Sequence, residues 1–296
     1  LHALAHREDE VDGGPVLVQG TLIERNSATE EGGGLSLNNL GDVVVRDSTI
    51  RNNKAYDGGG LENSATRVTF ERVLVQSNRA KSAGGGIYNT SSGPLRILGS
   101  TIRENSGGIG GGLANAPDND LIVKGSLFLN NSARIAMGDD GTLDEDSGRG
   151  GGLMSFADGD SLIENTTFSG NKAAVAGGGL FHDADGELRL VHLTVWKNSA
   201  PLGGGVSVVE SDFVPTLPPQ PHASLFVKNS IIGGSLEGGS CDWFLTTEGG
   251  NVDTGKTCFL EATAEMAVNP ISLGVRDRRN ATTLKLDAIA DNGGPT

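Results

Sequence analysis

The chain has 296 residues, 46 of them glycine and 4% aromatic, with a formal net charge of -14. That length suits one large domain or two ordinary ones, and so few aromatics argue against a large aromatic core or a long sugar-stacking platform. The negative balance argues against nucleic acid and anionic membranes as direct partners, and no run of eighteen apolar residues is present to span a bilayer.

The chain opens "LHALAHREDE", with neither an initiator Met nor a charged-then-apolar segment, so the expected readings are a removed signal or an internal start. The first periodic signal follows at Val16/Val18, where alternate apolar residues predict a strand with one buried face. Next comes an apolar residue followed three later by asparagine, Ile23/Asn26, and then a glycine triad at Gly32. The whole series then begins again at Val43/Val45.

Triads start at Gly32, Gly58, Gly84, Gly110, Gly150, Gly177 and Gly203, at intervals of 26, 26, 26, 40, 27 and 26. The asparagine signal keeps step at Asn26, Asn53, Asn78, Asn105, Asn131, Asn171 and Asn198. The alternating strand recurs at Val68/Phe70, Leu95/Ile97, Leu121/Val123, Leu188/Leu190 and Leu225/Val227, with a less regular copy at Ser161/Ile163. A unit of about 26 residues with three short strands cannot bury its apolar face alone, but it can when stacked on copies of itself. The predicted fold is all-β: a right-handed parallel β-helix of about eight coils, roughly 38 Å long at the spacing of paired strands. Residues 1–15 are expected to cap one end, residues 16–234 to form the rod, and residues 235–296 to form a non-repeating cap region.

Inward asparagines must be hydrogen-bonded, and amides stacked one coil apart can bond each other and the corner backbone. The asparagine series is therefore read as a structural ladder, with Asn63, Asn89 and Asn115 as a second one. Glycine recurs where a segment of each coil needs backbone freedom or a closely approaching neighbour.

Two insertions break the period. The first, near residues 134–149, reads "RIAMGDDGTLDEDSGR". It is a solvated acidic loop, or else Asp139, Asp140, Asp144 and Asp146, with Glu145, gather around a hard cation such as Ca²⁺. The second, residues 210–221, reads "ESDFVPTLPPQP". Its prolines favour an extended excursion, which is either a flap over the rod or a docking arm presenting Phe213, Val214 and Leu217 to a partner. Asp120, Asp160 and Glu187 precede successive strands and should stack on one edge, exposed by default. Cys241 and Cys258 are the two cysteines; they suit one small disulfide-closed loop in an oxidising compartment, or else are two unpaired thiols.

For catalysis, the best constellation is His182, Asp183 and Asp185 with His192 nearby. His182 falls at the second ladder's position, and the "NTD", "GHG" and "RIK" signatures of pectin hydrolases are absent. No catalytic residue and no cofactor is therefore assigned.

The copies "GGGIYN", "FLNNSA" and "FSGNKA" resemble the repeats of polymorphic outer membrane proteins. The tail elements "KNSIIGG", "CDWF…GGNVDTGKTCF" and "ADNGGPT" look like the closing region of bacterial surface β-helix proteins of the choice-of-anchor type. The resemblance implies an exported bacterial protein at the cell surface, in the periplasm or outside the cell. It implies adhesion, display or protein–protein contact, with a protein or cell-surface component as partner and a glycan as another candidate. No anchor follows Thr296 in this sequence and the rod is short for an adhesin. Both departures keep open an accessory scaffold subunit of a larger extracytoplasmic complex. A polysaccharide-active lyase or hydrolase is the third reading.

Overall fold

The computed structural model describes residues 2–4, 15–38, 41–64, 67–116, 120–138, 141–156, 159–183, 186–209, 222–243, 245–255 and 257–258. Over these residues the chain winds into a right-handed parallel β-helix of about seven full turns, close to the eight expected. Successive turns add their strands to four sheets, named here by what repeats in them. The valine sheet has nine strands, from Val16–Gln19 to Leu245–Gly249, and the ladder sheet nine, from Leu22–Glu24 to Val252–Asp253. A minor sheet has five two-residue strands, from Lys54–Ala55 to Lys172–Ala173. The glycine sheet has eight strands, from His2–Leu4 to Val206–Val209.

Alternation puts one face of each valine and ladder strand inside. Val43, Val68, Leu95 and Leu121 stand in register in one column, and Val45, Phe70, Ile97 and Val123 in the next, all buried. Ile50, Val75, Ile102, Phe128, Phe168 and Val195 fill the ladder side. The Phe128 and Phe168 rings stack with centroids 4.7 Å apart, so the two aromatic turns meet face to face in the interior. Ala133, Ala173 and Ala200 form a small third cluster of buried side chains.

The glycine triad and the asparagine ladder are parts of one device, as the turn at Gly58 shows. Gly58 has φ 59°, the left-handed region that glycine enters without penalty. A Cβ on Gly59 would lie 2.4 Å from the backbone of Arg79 in the next turn. A Cβ on Gly60 would lie 2.5 Å from the Gly86 carbonyl and 2.9 Å from the Asn78 amide. The first glycine turns the chain, and the other two let the next turn and its ladder asparagine come close.

Parallel pairing runs on past Gly234. Leu245–Gly249 adds to the valine sheet and Val252–Asp253 to the ladder sheet, and Cys241 bridges Val206 at the glycine-sheet position. At the other end, His2–Leu4 pairs in parallel with Ser36–Asn38. Among the described residues no helix is long and apolar enough to cross a membrane.

Candidate functional site

Each asparagine of the main ladder bonds the next. Asn78 donates its backbone N–H and its amide to Asn105 Oδ1 at 2.9 and 3.1 Å, and Asn105 does the same to Asn131 Oδ1 at 3.0 and 3.0 Å. The other amide hydrogen goes to a carbonyl of the preceding turn, from Asn105 to Val75 at 3.0 Å. The pattern runs from Asn26, exposed at the rod's end, through Asn53, Asn131 and Asn171 to Asn198. In the second series, Asn63 donates to Asn89 at 2.5 Å and Asn89 to Asn115 at 2.7 Å. Ser155 and His182 follow in the same inward column.

His182 is therefore buried in the rod, 1% exposed, between Ser155 and Val208. Asp183 is half-buried at the strand end, and Asp185 lies outside the described residues. His192 is exposed at a corner between the valine and ladder sheets, with a ring nitrogen 3.0 Å from the Asn229 amide. One histidine is sealed inside the rod and the other stands on its surface. Asp120 and Asp160 are exposed, while Glu187 is half-buried and accepts from Arg189, which also donates to Glu248 at 2.6 Å.

The first insertion is a hairpin. Met137 and Leu143 form an antiparallel bridge, Gly138 donates to the Thr142 carbonyl at 2.8 Å, and Asp144 to the Ala136 carbonyl at 3.1 Å. Its base is stitched into the rod, because Gly148 donates to the Gly108 carbonyl at 2.7 Å and accepts from Val175 at 2.8 Å. Asp144 turns its carboxylate to the Asp146 N–H at 3.1 Å, and Asp146 accepts from Arg149 at 2.9 Å. Among the described residues no group of three or more His, Cys, Asp or Glu side chains is placed to hold a metal ion. Asp139 and Asp140 lie outside those residues. The hairpin's exposed side chains include three large apolar ones: Ile135 at 47%, Met137 at 50% and Leu143 at 63%. Sequence reasoning weighed this segment by its carboxylates and passed these over. Phe213, Val214 and Leu217 also lie outside the described residues.

A buried acid stands on the outer side of the glycine sheet, under the chain that leads into the triads. Glu62 is 2% exposed and accepts from Ser36 Oγ at 3.2 Å. Burial, and after it the charge of Glu31, push its carboxyl up to about 7. Burial also raises Asp57, which accepts from the Ala83 N–H at 2.6 Å. Further along the same surface Ala114, Met154 and Phe181 form a small apolar cluster with Ala83 and Ala176.

Cys241 and Cys258 form a disulfide, Cα–Cα 5.0 Å, that ties the eighth turn to the last described residue. Around it, Asp253 accepts from the backbone N–H groups of Gly255, Thr257 and Cys258, and Thr257 Oγ1 from those of Ser240 and Cys241.

Two comparisons fall on this rod. Residues 11–102 match the family described as right-handed β-helix region, and residues 165–183 match the Chlamydia polymorphic membrane protein repeat. The second match covers Phe168, Asn171 and the triad at Gly177, the ladder and glycine parts of one turn. No curated protein matches the sequence. Fold and matches together make the chain a right-handed β-helix protein with a polymorphic-membrane-protein-type repeat in its sixth turn.

Proposed function

We propose that this chain is a non-catalytic exported β-helix protein that acts by contact, in adhesion or display at a bacterial surface. The rod is the support and the 134–149 hairpin the contact element. The observation that carries this reading is the hairpin itself: a break in a regular solenoid, anchored at its base and presenting Ile135, Met137 and Leu143 to solvent. The match to a polymorphic membrane protein repeat supports a place at the bacterial surface. The second insertion, residues 210–221 with Phe213, Val214 and Leu217, is the companion contact in this reading. Burial of His182 within the coil column supports contact over catalysis, since a sealed imidazole meets no polysaccharide.

The test changes three exposed side chains together, Ile135→Ser, Met137→Ser and Leu143→Ser, and measures whole-cell binding of the labelled protein by flow cytometry. Binding should drop severalfold with thermal unfolding within a few degrees, because all three side chains are about half exposed or more and none belongs to the buried core. Undiminished binding sinks the hairpin's role. If the unchanged protein binds no cells but is recovered in a stoichiometric extracytoplasmic complex, the scaffold-subunit reading replaces adhesion.

A further inference from the structure

At the foot of the hairpin the minor sheet carries a cleft of about 370 Å³, bordered by Lys54, Arg79, Lys81 and Arg134. Four cations around one small cleft stand out on a chain of net charge -14. Register explains how they meet. Lys54 and Arg79 are directly paired in adjacent turns, and the row continues through Ser106 and Ser132. Two residues further on in each turn stand Tyr56, Lys81, Gly108 and Arg134. Gly108 contributes no side chain, and a Cβ there would lie 2.8 Å from the Ser82 carbonyl oxygen. Arg134 reaches back past this gap and donates from Nη2 to the Ala80 carbonyl, two turns away, at 3.3 Å. Its Nε is buried with no hydrogen-bond partner. Lys81 Nζ sits 5.0 Å from the Tyr56 ring centroid.

Among the described residues no carboxylate pairs with Lys54, Arg79 or Arg134. Burial, and then the charge of Arg79, lower the Arg134 guanidinium from its ordinary value, as expected for a half-buried cation beside a second one. A guanidinium fork matches the oxygens of a carboxylate or sulfate. The cleft is larger than an inorganic anion needs. The hydroxyl row of Ser106 and Ser132 continues from Arg79, and the apolar Ile135 and Met137 help line the cleft.

We propose that this cleft binds an acidic saccharide, with a sulfate or carboxylate held between Arg79 and Arg134 and the sugar lying toward the hairpin. The shortage of aromatic residues does not oppose this, because recognition is by charge and hydroxyl bonding. The proposal rests on the reading of the hairpin as the contact element, and it names the chemistry met at the hairpin's base.

Calorimetric titration of the isolated chain at low ionic strength tests it. The probes are N-acetylglucosamine 6-sulfate, glucuronic acid, neutral N-acetylglucosamine, sodium sulfate and a short single-stranded oligonucleotide. A charged sugar should bind and the neutral sugar should not, with the sulfate ion at least about tenfold weaker than the sulfated sugar. Arg79→Gln, whose side chain is exposed, should weaken the charged sugar about tenfold, and the double variant with Arg134→Gln should abolish binding. Arg96→Gln, on the valine sheet, should leave it unchanged, and all variants should unfold at the same temperature. If Arg134→Gln disturbs folding, Arg79→Gln alone decides.

Absence of binding by both charged sugars, equal affinity in Arg79→Gln, or sulfate ion binding as tightly as the sulfated sugar (an adventitious ion only) each overturns the proposal. Tighter binding of the oligonucleotide does so too. Failure here with cell binding still dependent on Ile135, Met137 and Leu143 removes the saccharide and keeps the hairpin. Saccharide binding in a protein whose cell binding ignores those three residues removes the hairpin's role and not the cleft.

Discussion

Asn105 shows how much one polar side chain holds. It accepts two hydrogen bonds from Asn78 and donates to Val75 and Asn131, all inside the rod. Asn105→Leu supplies an apolar group of similar size but strands two donors of Asn78 and the Val75 carbonyl. At about 1–3 kcal/mol for each buried group left unsatisfied, the variant should lose at least about 3 kcal/mol, read as a lower urea midpoint. Glu62 offers a test with the opposite sign. Its carboxyl titrates at about 7 in the folded protein, against an ordinary value of 4.5. Folding therefore favours the protonated form. The stability this gives is complete below 4.5 and is lost as pH rises through about 7. Glu62→Gln keeps an acceptor for Ser36 and cannot ionise. At pH 8 the variant should be more stable by about 2–3 kcal/mol, and near pH 4 the two should agree. Equal midpoints at pH 8 would mean that Glu62 is hydrated rather than buried.

Among the elements, the strands that recur with a strict period were legible and the ones that vary were not. The valine alternation and the Asn after each ladder strand announce themselves because every turn must refill the same buried position. A third ladder at the corner between valine and ladder sheets went unseen. There Ser48, Ser100, Ser126, Thr166 and Ser230 each accept a backbone N–H from the turn before. Val73 and Leu193 interrupt the series, so a period of about 26 appears only in fragments. The minor sheet was equally hidden, since two residues per strand carry no periodic signal. Two of the cleft's cations directly follow a ladder asparagine, Lys54 after Asn53 and Arg79 after Asn78, and two stand three residues after one, Lys81 and Arg134. At the closing turn, Cys241→Ser with Cys258→Ser removes a crosslink of sequence separation 17. The loop-entropy picture puts the loss at about 3 kcal/mol. Limited proteolysis should then cut first between residues 241 and 258; an unchanged digestion pattern would show that Asp253 and Thr257 suffice to hold the turn.

At the scale of the whole molecule, a solenoid separates stability from function. Each turn is held by its neighbours, so an excursion from one corner leaves the stack intact when its ends stay in register. The hairpin base meets that condition through Gly148, which bonds Gly108 on one side and Val175 on the other. Removing residues 135–147 brings Asn131 and Gly150 to the six-residue separation seen between Asn78 and Gly84 and between Asn171 and Gly177. The shortened protein and the intact one, compared side by side for thermal unfolding and for whole-cell binding, give the most direct test that a regular rod displays a separate contact element. The expected result is an unfolding temperature within a few degrees of the intact protein and loss of most of the binding. Binding retained at full strength by a folded, shortened rod would contradict the account.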